Sequence, residues 1–134
     1  MHSMSCPFFI PTERFDDAQF PHPARLPLGA AYRGKCSATH ATPSDDELKQ
    51  CNLGYARDCG RLPQTREADS VRFSILRERD GQISLCYVSE LNYLPQDSGN
   101  LHYEVLSQRW HQKHPNQQIQ TLAECFLQSY LARR

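Results

Sequence analysis

Two neighbouring stretches in the C-terminal half of the chain alternate between apolar and polar residues. These are SVRFSILRER (residues 70–79) and QISLCYVSEL (residues 82–91), and a period of two is typical of a β-strand with one buried face. Asp80 and Gly81 stand between them, and an Asp-Gly pair flanked by alternating stretches is the strongest short-range signal for a β-hairpin. The pattern therefore predicts two antiparallel strands that turn at Asp80-Gly81.

A third strand and a helix are predicted further along the chain. The polar segment PQDSGN predicts a loop, and LHYEVL (residues 101–106) after it predicts the strand. Asn116, which follows Pro115, can cap a helix whose apolar residues recur at intervals of three and four. Those residues are Ile119, Leu122, Ala123, Phe126, Leu127, Tyr130 and Leu131. The predicted fold class is α+β, a small antiparallel sheet of about three strands covered by a C-terminal amphipathic helix.

The N-terminal half has a different character. Prolines recur over the first 35 residues, and each fixes φ and removes an amide donor, which disfavours a regular helix or a central strand. This half is therefore predicted to be an irregular wrap that its aromatic residues anchor to the C-terminal core. They are Phe8, Phe9, Phe15, Phe20 and Tyr32. The chain is interpreted as a single domain, 1–134, with an irregular, cysteine-rich, metal-binding segment over 1–65 and the α+β core over 66–134.

One short helix is predicted inside the N-terminal half. Ser44 and Glu47 have the spacing of a capping box, in which each residue's side chain accepts a hydrogen bond from the other's backbone amide. A helix over about 45–52 follows from that start. It places Cys51 on the last helical turn and Cys59 on the loop beyond.

The charge composition of the chain makes some classes of function less expected than others. The 134 residues include 15 Lys and Arg and 15 Asp and Glu, so the formal net charge is zero. Nucleic-acid-binding proteins usually carry a basic excess, so nucleic acid is not the expected partner.

No apolar run approaches the roughly 20 residues of a membrane span, and no secretory signal is visible. A cytoplasmic protein is the simplest expectation. In that compartment the six cysteines are kept reduced and call for an explanation other than structural disulfides.

Four of the cysteines, Cys6, Cys36, Cys51 and Cys59, lie in the thinly apolar N-terminal half. They form no C-x2-4-C knuckle of the kind that builds most zinc sites, so each thiolate would come from a separate segment. Four such thiolates suit an iron–sulfur cluster, above all [4Fe–4S], in which each ligand meets a different iron. Cys6 precedes Pro7, as a ligand cysteine precedes proline in the bacterial ferredoxin run. These four residues are the predicted metal and cofactor ligands.

Two alternatives to the cluster stay open. In the first, Cys36 and His40, a C-x3-H pair, join Cys51 and Cys59 in a Cys3His zinc site that leaves Cys6 out. In the second, the four cysteines hold no metal and pack as small apolar residues. Iron, sulfide and zinc content separates these interpretations.

The two remaining cysteines are excluded from the site. Cys86 lies in mid-strand and Cys125 lies beside the apolar stripe of the predicted helix, so both are interpreted as packing residues. A nucleophilic Cys86 with His102 as its base is the enzyme alternative, but no motif sets these two side chains together. Phosphate-loop, dinucleotide-binding and zinc-protease motifs are also missing from the sequence, so no small-molecule substrate is evident.

The residues therefore predict a small, non-enzymatic iron–sulfur protein. Its cluster would be structural, redox-sensing or electron-carrying, and its expected partner is another protein. The alternative function is a zinc-stabilised or metal-free module for protein–protein interaction.

Overall fold

The described residues form two antiparallel sheets, part of a short helix at 47–52 and a C-terminal helix. The computed structural model describes residues 6–14, 26–38, 42–44, 47–48, 51–52 and 68–133. The small sheet pairs β1 (Phe9–Arg14) with β2 (Tyr32–Cys36). The large sheet has the order β3-β4-β5-β6, with bounds Ser70–Arg79, Gln82–Leu91, Leu94–Glu104 and Arg109–Trp110. Helix α1 spans Gln117–Arg133, and the α+β class is confirmed.

The predicted hairpin is confirmed in position. Arg79 pairs with Gln82 at the end of β3 and β4, which leaves Asp80 and Gly81 as a two-residue loop. Their φ angles are 53° and 75°, so both residues are left-handed. A turn with two positive φ values matches the right-handed twist of the strands, and Asp-Gly adopts it readily.

The large sheet has four strands rather than about three, because the short strand β6 was not predicted. The turn that joins β4 to β5 was not predicted either. Leu91 pairs with Leu94 across a second two-residue turn at Asn92 and Tyr93, whose φ values are 53° and 64°. The Asp69 carboxylate accepts a hydrogen bond of 2.8 Å from the Asn92 amide and stabilises this turn.

The segment PQDSGN was predicted as a loop but lies inside β5. Residues 94–98 are exposed beside the turn that joins β4 to β5, so they need no apolar alternation to form a strand. The predicted strand 101–106 ends at Glu104, and the turn after it leads into β6, where Trp110 packs against Tyr103 with ring centroids 5.2 Å apart. Strand pairing on β4 overrides the weak local pattern here.

The helix prediction is confirmed together with its start. The Asn116 side-chain oxygen accepts hydrogen bonds from the amides of Gln118 at 2.9 Å and Ile119 at 3.3 Å, which makes Asn116 the N-cap. The helix lies on one face of the large sheet. The fully buried part of this packing consists of Val71, Ile83, Leu85, Leu122, Ala123 and Leu127.

Asn116→Ala is expected to lower the free energy of unfolding by about 1 kcal/mol, because two amides at the start of α1 lose their acceptor. Urea denaturation measures this change. The exposed neighbour Gln117 supplies the control, and Gln117→Ala should leave stability nearly unchanged. Equal effects of the two substitutions would contradict the capping role.

The irregular N-terminal half is not confirmed where it is described, because residues 9–14 and 32–36 form the small sheet. Pro11 fits within β1 at a register shift, and in a two-stranded sheet its missing amide donor can face outward. Gly34 lies opposite, and a Cβ atom there would clash with the Ile10 carbonyl oxygen. Strand β1 therefore approaches β2 closely only because residue 34 is glycine.

Aromatic residues anchor the small sheet to the helix, as predicted. Phe9 is 1% exposed in the same core as the residues of α1. The Tyr32 hydroxyl lies 3.0 Å from the Ser129 hydroxyl, and burial raises the pKa of Tyr32. Phe15 and Phe20 lie outside the described residues. The two sheets therefore pack with α1 around one continuous core.

Candidate metal centre

The backbone brings Cys6 and Cys51 together. Cys6 precedes β1 in a turn, and its amide donates a hydrogen bond to the Cys51 carbonyl at 3.5 Å. The Cys6 side chain is 8% exposed, whereas Cys51 is half-buried. Two cysteines that are far apart in the sequence therefore lie side by side.

Cys36 reaches the same end of the small sheet from the opposite strand. It is the last residue of β2 and pairs with Phe9, whose own amide donates to the Cys6 carbonyl at 3.2 Å. One residue further, the Ser37 amide donates to the Phe8 carbonyl at 2.8 Å. Cys36 thus lies across from the turn that carries Cys6, and its side chain is half-buried.

The predicted short helix positions Cys51. Its capping box is confirmed, since the Ser44 amide donates to the Glu47 carboxylate at 3.0 Å and the Glu47 amide donates to the Ser44 hydroxyl at 3.3 Å. Glu47, Leu48, Cys51 and Asn52 are the described helical residues that follow. Cys51 therefore lies on a local element whose start the sequence encodes.

Asn52 fixes this helix to β2, a role that was not predicted. Its side-chain oxygen accepts a hydrogen bond from the Tyr32 amide at 2.9 Å, and its amide group donates to the Tyr32 carbonyl at 2.9 Å. The same amide group donates to the Leu48 carbonyl at 2.8 Å. Asn52 is 1% exposed, so the clamp is shielded from water. The sequence around Asn52 contains no pattern from which its contact with Tyr32 could be predicted.

The fourth predicted ligand, Cys59, and the alternative zinc ligand, His40, lie outside the described residues. Across the described part of the chain, no three His, Cys, Asp or Glu side chains form a group arranged to hold a metal ion. Backbone hydrogen bonds and strand pairing nevertheless place Cys6, Cys36 and Cys51 near the same end of the small sheet. They fit a sulfur-ligated group by donor type, since thiolates are soft ligands suited to iron–sulfur clusters and zinc.

A cavity of about 760 Å³ adjoins this end of the small sheet. Pro7 and Phe8, which follow Cys6, form one wall, and His114 and Asp97 form another. The His114 Nε2 atom lies 3.8 Å from an Asp97 carboxylate oxygen, and His114 Nδ1 accepts a hydrogen bond from the Asn116 amide at 2.9 Å. Asp97 of β5 and His114, which precedes α1, therefore lie across this cavity from the two residues that follow Cys6.

Cys86 and Cys125 lie elsewhere. Cys86 is on β4, where it pairs with Asn100, and the nitrogen Nδ1 of His102 contacts the hydroxyl of Ser84 at 2.9 Å. The Cys86–His102 pair of the enzyme alternative is therefore not formed. Cys125 lies on α1, packed partly against the core. Burial, with a smaller contribution from Glu124, raises the pKa of the Cys125 thiol to about 11.

Cys125 is expected to react with iodoacetamide about 100-fold more slowly in the folded protein than in urea at pH 8, because a pKa near 11 instead of 9.0 leaves less thiolate. Peptide mass spectrometry after timed quenching measures both rates. The folded state also holds this proton more tightly than the unfolded state. The contribution of the protonated Cys125 thiol to the free energy of unfolding is therefore complete below pH 9 and is lost as pH rises towards 11. Equal alkylation rates in the two states would contradict the burial of this thiol.

Searches against protein-family models, curated proteins and solved structures gave no match to this chain. Among the helical residues that the structure describes, none belong to a helix with the length and apolar character needed to cross a membrane. The functional proposal therefore depends on the chain's own residues.

Proposed function

We propose that the chain is a small iron–sulfur protein in which Cys6, Cys36, Cys51 and Cys59 ligate the cluster. The observation that carries the proposal is the backbone convergence of the first three. Cys6 donates its amide to the Cys51 carbonyl, and Cys36 pairs with Phe9 beside the same turn. Cys59 follows Cys51 closely enough in the sequence to supply the fourth thiolate.

The distribution of these cysteines favours iron and sulfide over a single metal ion. Cys6 comes from a turn, Cys36 from the end of a strand and Cys51 from a helix, so no two share one tight loop. A cluster accepts ligands from separate segments because each thiolate addresses its own iron. Once bound, the cluster supplies one-electron chemistry at a potential tuned by hydrogen bonds to sulfur and by solvent exposure.

Partial exposure favours a redox or sensing role in addition to a structural one. Cys36 and Cys51 are half-buried, whereas Cys6 belongs to the apolar core. An oxidant or a partner protein would therefore approach from the Cys36 and Cys51 side, and the core would hold the Cys6 side in place. Electron transfer to a protein partner in a reducing, cytoplasmic environment is the proposed use, with no substrate turned over at the cluster.

The burial of Cys6 also favours one alternative. A thiol that is 8% exposed and packed in the core is the cysteine best suited to remain unligated. Cys36, His40, Cys51 and Cys59 would then form a Cys3His zinc site in a module for protein–protein interaction.

Analysis of protein purified without oxygen tests the proposal. Iron, acid-labile sulfide and zinc are assayed on one sample, and its visible spectrum is recorded. The proposal predicts brown protein with broad thiolate-to-iron charge-transfer absorption and matching iron and sulfide contents. Colourless protein with one zinc per chain would support the alternative, and protein with no metal would contradict both.

A further inference from the structure

Two histidines lie next to each other on the face of the large sheet that α1 does not cover. Leu101 and Tyr103 are buried under the helix, and side chains alternate along a strand, so His102 projects from the opposite face. The His111 amide donates to the His102 carbonyl at 2.8 Å, which sets the two residues directly opposite. Their ring centroids are 6.0 Å apart.

A hydroxyl group on the third strand orients one of the rings. Ser84 pairs with His102, and the Ser84 Oγ atom lies 2.9 Å from His102 Nδ1. When Nδ1 donates to this hydroxyl, Nε2 keeps its lone pair and can bind a metal ion. Metal-binding histidines are usually held in this way, by a hydrogen bond from the nitrogen that does not bind the metal.

Both rings can be reached by an ion from solution. His111 is exposed and His102 is half-buried. Rotation of two exposed or half-exposed rings brings their nitrogen atoms close enough to share one ion, since opposite residues in a sheet have Cβ atoms about 5 Å apart. The small sheet with Cys36 packs against α1, so the two histidines and the proposed cluster ligands Cys6, Cys36 and Cys51 lie on opposite faces of the large sheet.

We propose that His102 and His111 form a binding site for a divalent late first-row transition metal ion, with Ser84 as a positioning residue. Imidazole is a preferred ligand of Ni²⁺, Cu²⁺ and Zn²⁺, and of these three ions Cu²⁺ has the highest affinity for such a site. The protein supplies two nitrogen ligands, and water completes the coordination. The site is independent of the proposed cysteine-ligated cluster.

Nuclear magnetic resonance with Ni²⁺ as the probe tests this proposal, because paramagnetic broadening identifies the residues near the ion and Ni²⁺ does not oxidise thiols. In the ¹⁵N-labelled protein, substoichiometric Ni²⁺ should broaden the signals of His102, His111 and Ser84 first. Broadening confined to residues 6–9 and 34–38 would overturn the proposal and place the ion at the cysteine segment. The two sites are therefore distinguished in one spectrum.

Variants test the ligand roles in the same titration. His111→Asn should weaken Ni²⁺ binding at the sheet about 100-fold, because His102 alone then binds the ion and the gain from a second ligand held nearby on the same protein is lost. Ser84→Ala should weaken it about tenfold, because the ring orientation is no longer fixed. Gln112→Ala, at the exposed position next to His111, is the control and should have no effect on binding at this site. Unchanged affinity in the His111→Asn variant would overturn the proposal.

Discussion

Cys36→Ser and Cys51→Ser are each expected to abolish retention of the proposed iron–sulfur cluster. Serine has nearly the shape of cysteine but offers a hard oxygen ligand that suits iron–sulfur clusters poorly. Cys36 ends β2 and is half-buried, so its replacement leaves the apolar core intact. Iron and sulfide per chain, measured after anaerobic purification, should fall to background in both variants.

The matched control for these variants is Cys86, on the face of the large sheet that α1 does not cover. Cys86 lies on β4, away from the small sheet, and Cys86→Ala should retain the iron and sulfide content of the unaltered protein. Cys125→Ala should do the same at some loss of packing stability. Equal metal contents in the Cys36→Ser and Cys86→Ala variants would contradict the ligand assignment.

Phe9→Ala is expected to lower the free energy of unfolding by about 3–5 kcal/mol. The Phe9 side chain is 1% exposed and belongs to the core shared by the small sheet and α1. Its removal leaves a cavity at the point where β1 packs on the helix. Urea denaturation measures the change. Thr12→Ala, which removes only an exposed hydrogen bond of 3.2 Å from the Thr12 hydroxyl to the Arg33 carbonyl on the neighbouring strand, is the control. A loss below about 1 kcal/mol, within the range of surface substitutions, would contradict the packing of β1.

The same substitution couples stability to the candidate metal centre. The Phe9 amide bonds to the Cys6 carbonyl, and Phe9 pairs with Cys36. If β1 loosens, these two cysteines lose their common framework. Phe9→Ala protein should therefore release the iron of the proposed cluster to a chelator faster than Thr12→Ala protein does.

Local signals made the helix and the first hairpin predictable. Asp80 and Gly81 form the hairpin turn because both residues accept a positive φ. Asn116 starts α1 because its side chain accepts a hydrogen bond from the amide of Gln118, two residues further on. The capping box of Ser44 and Glu47 is equally local. In each case a few neighbouring residues determine the structure.

The small sheet and the second turn depend on contacts that no local pattern encodes. Strand β1 contains Pro11, which disfavours a strand by itself, and forms because Gly34 admits the close approach of Ile10. The turn at Asn92 contains Tyr93 in a left-handed conformation that tyrosine rarely adopts, and a side chain from Asp69 supports it. Tertiary context outweighs propensity at both places.

The sequence proposes Cys6, Cys36, Cys51 and Cys59 as ligands, the last three because their neighbours are polar. It did not predict where Cys6, Cys36 and Cys51 lie relative to one another. Their convergence depends on strand pairing and on the Asn52 clamp, which join segments far apart in the chain. Spacing alone contains no information about such contacts.

X-ray absorption at the iron edge of the anaerobically purified protein tests the central claim most directly, because it counts the sulfur atoms around the metal. The four-cysteine assignment predicts a first shell made of sulfur only, together with iron–iron scattering from the cluster. The Cys36→Ser variant should lack both signals. A first shell of nitrogen and oxygen, or iron without an iron neighbour, would contradict the assignment.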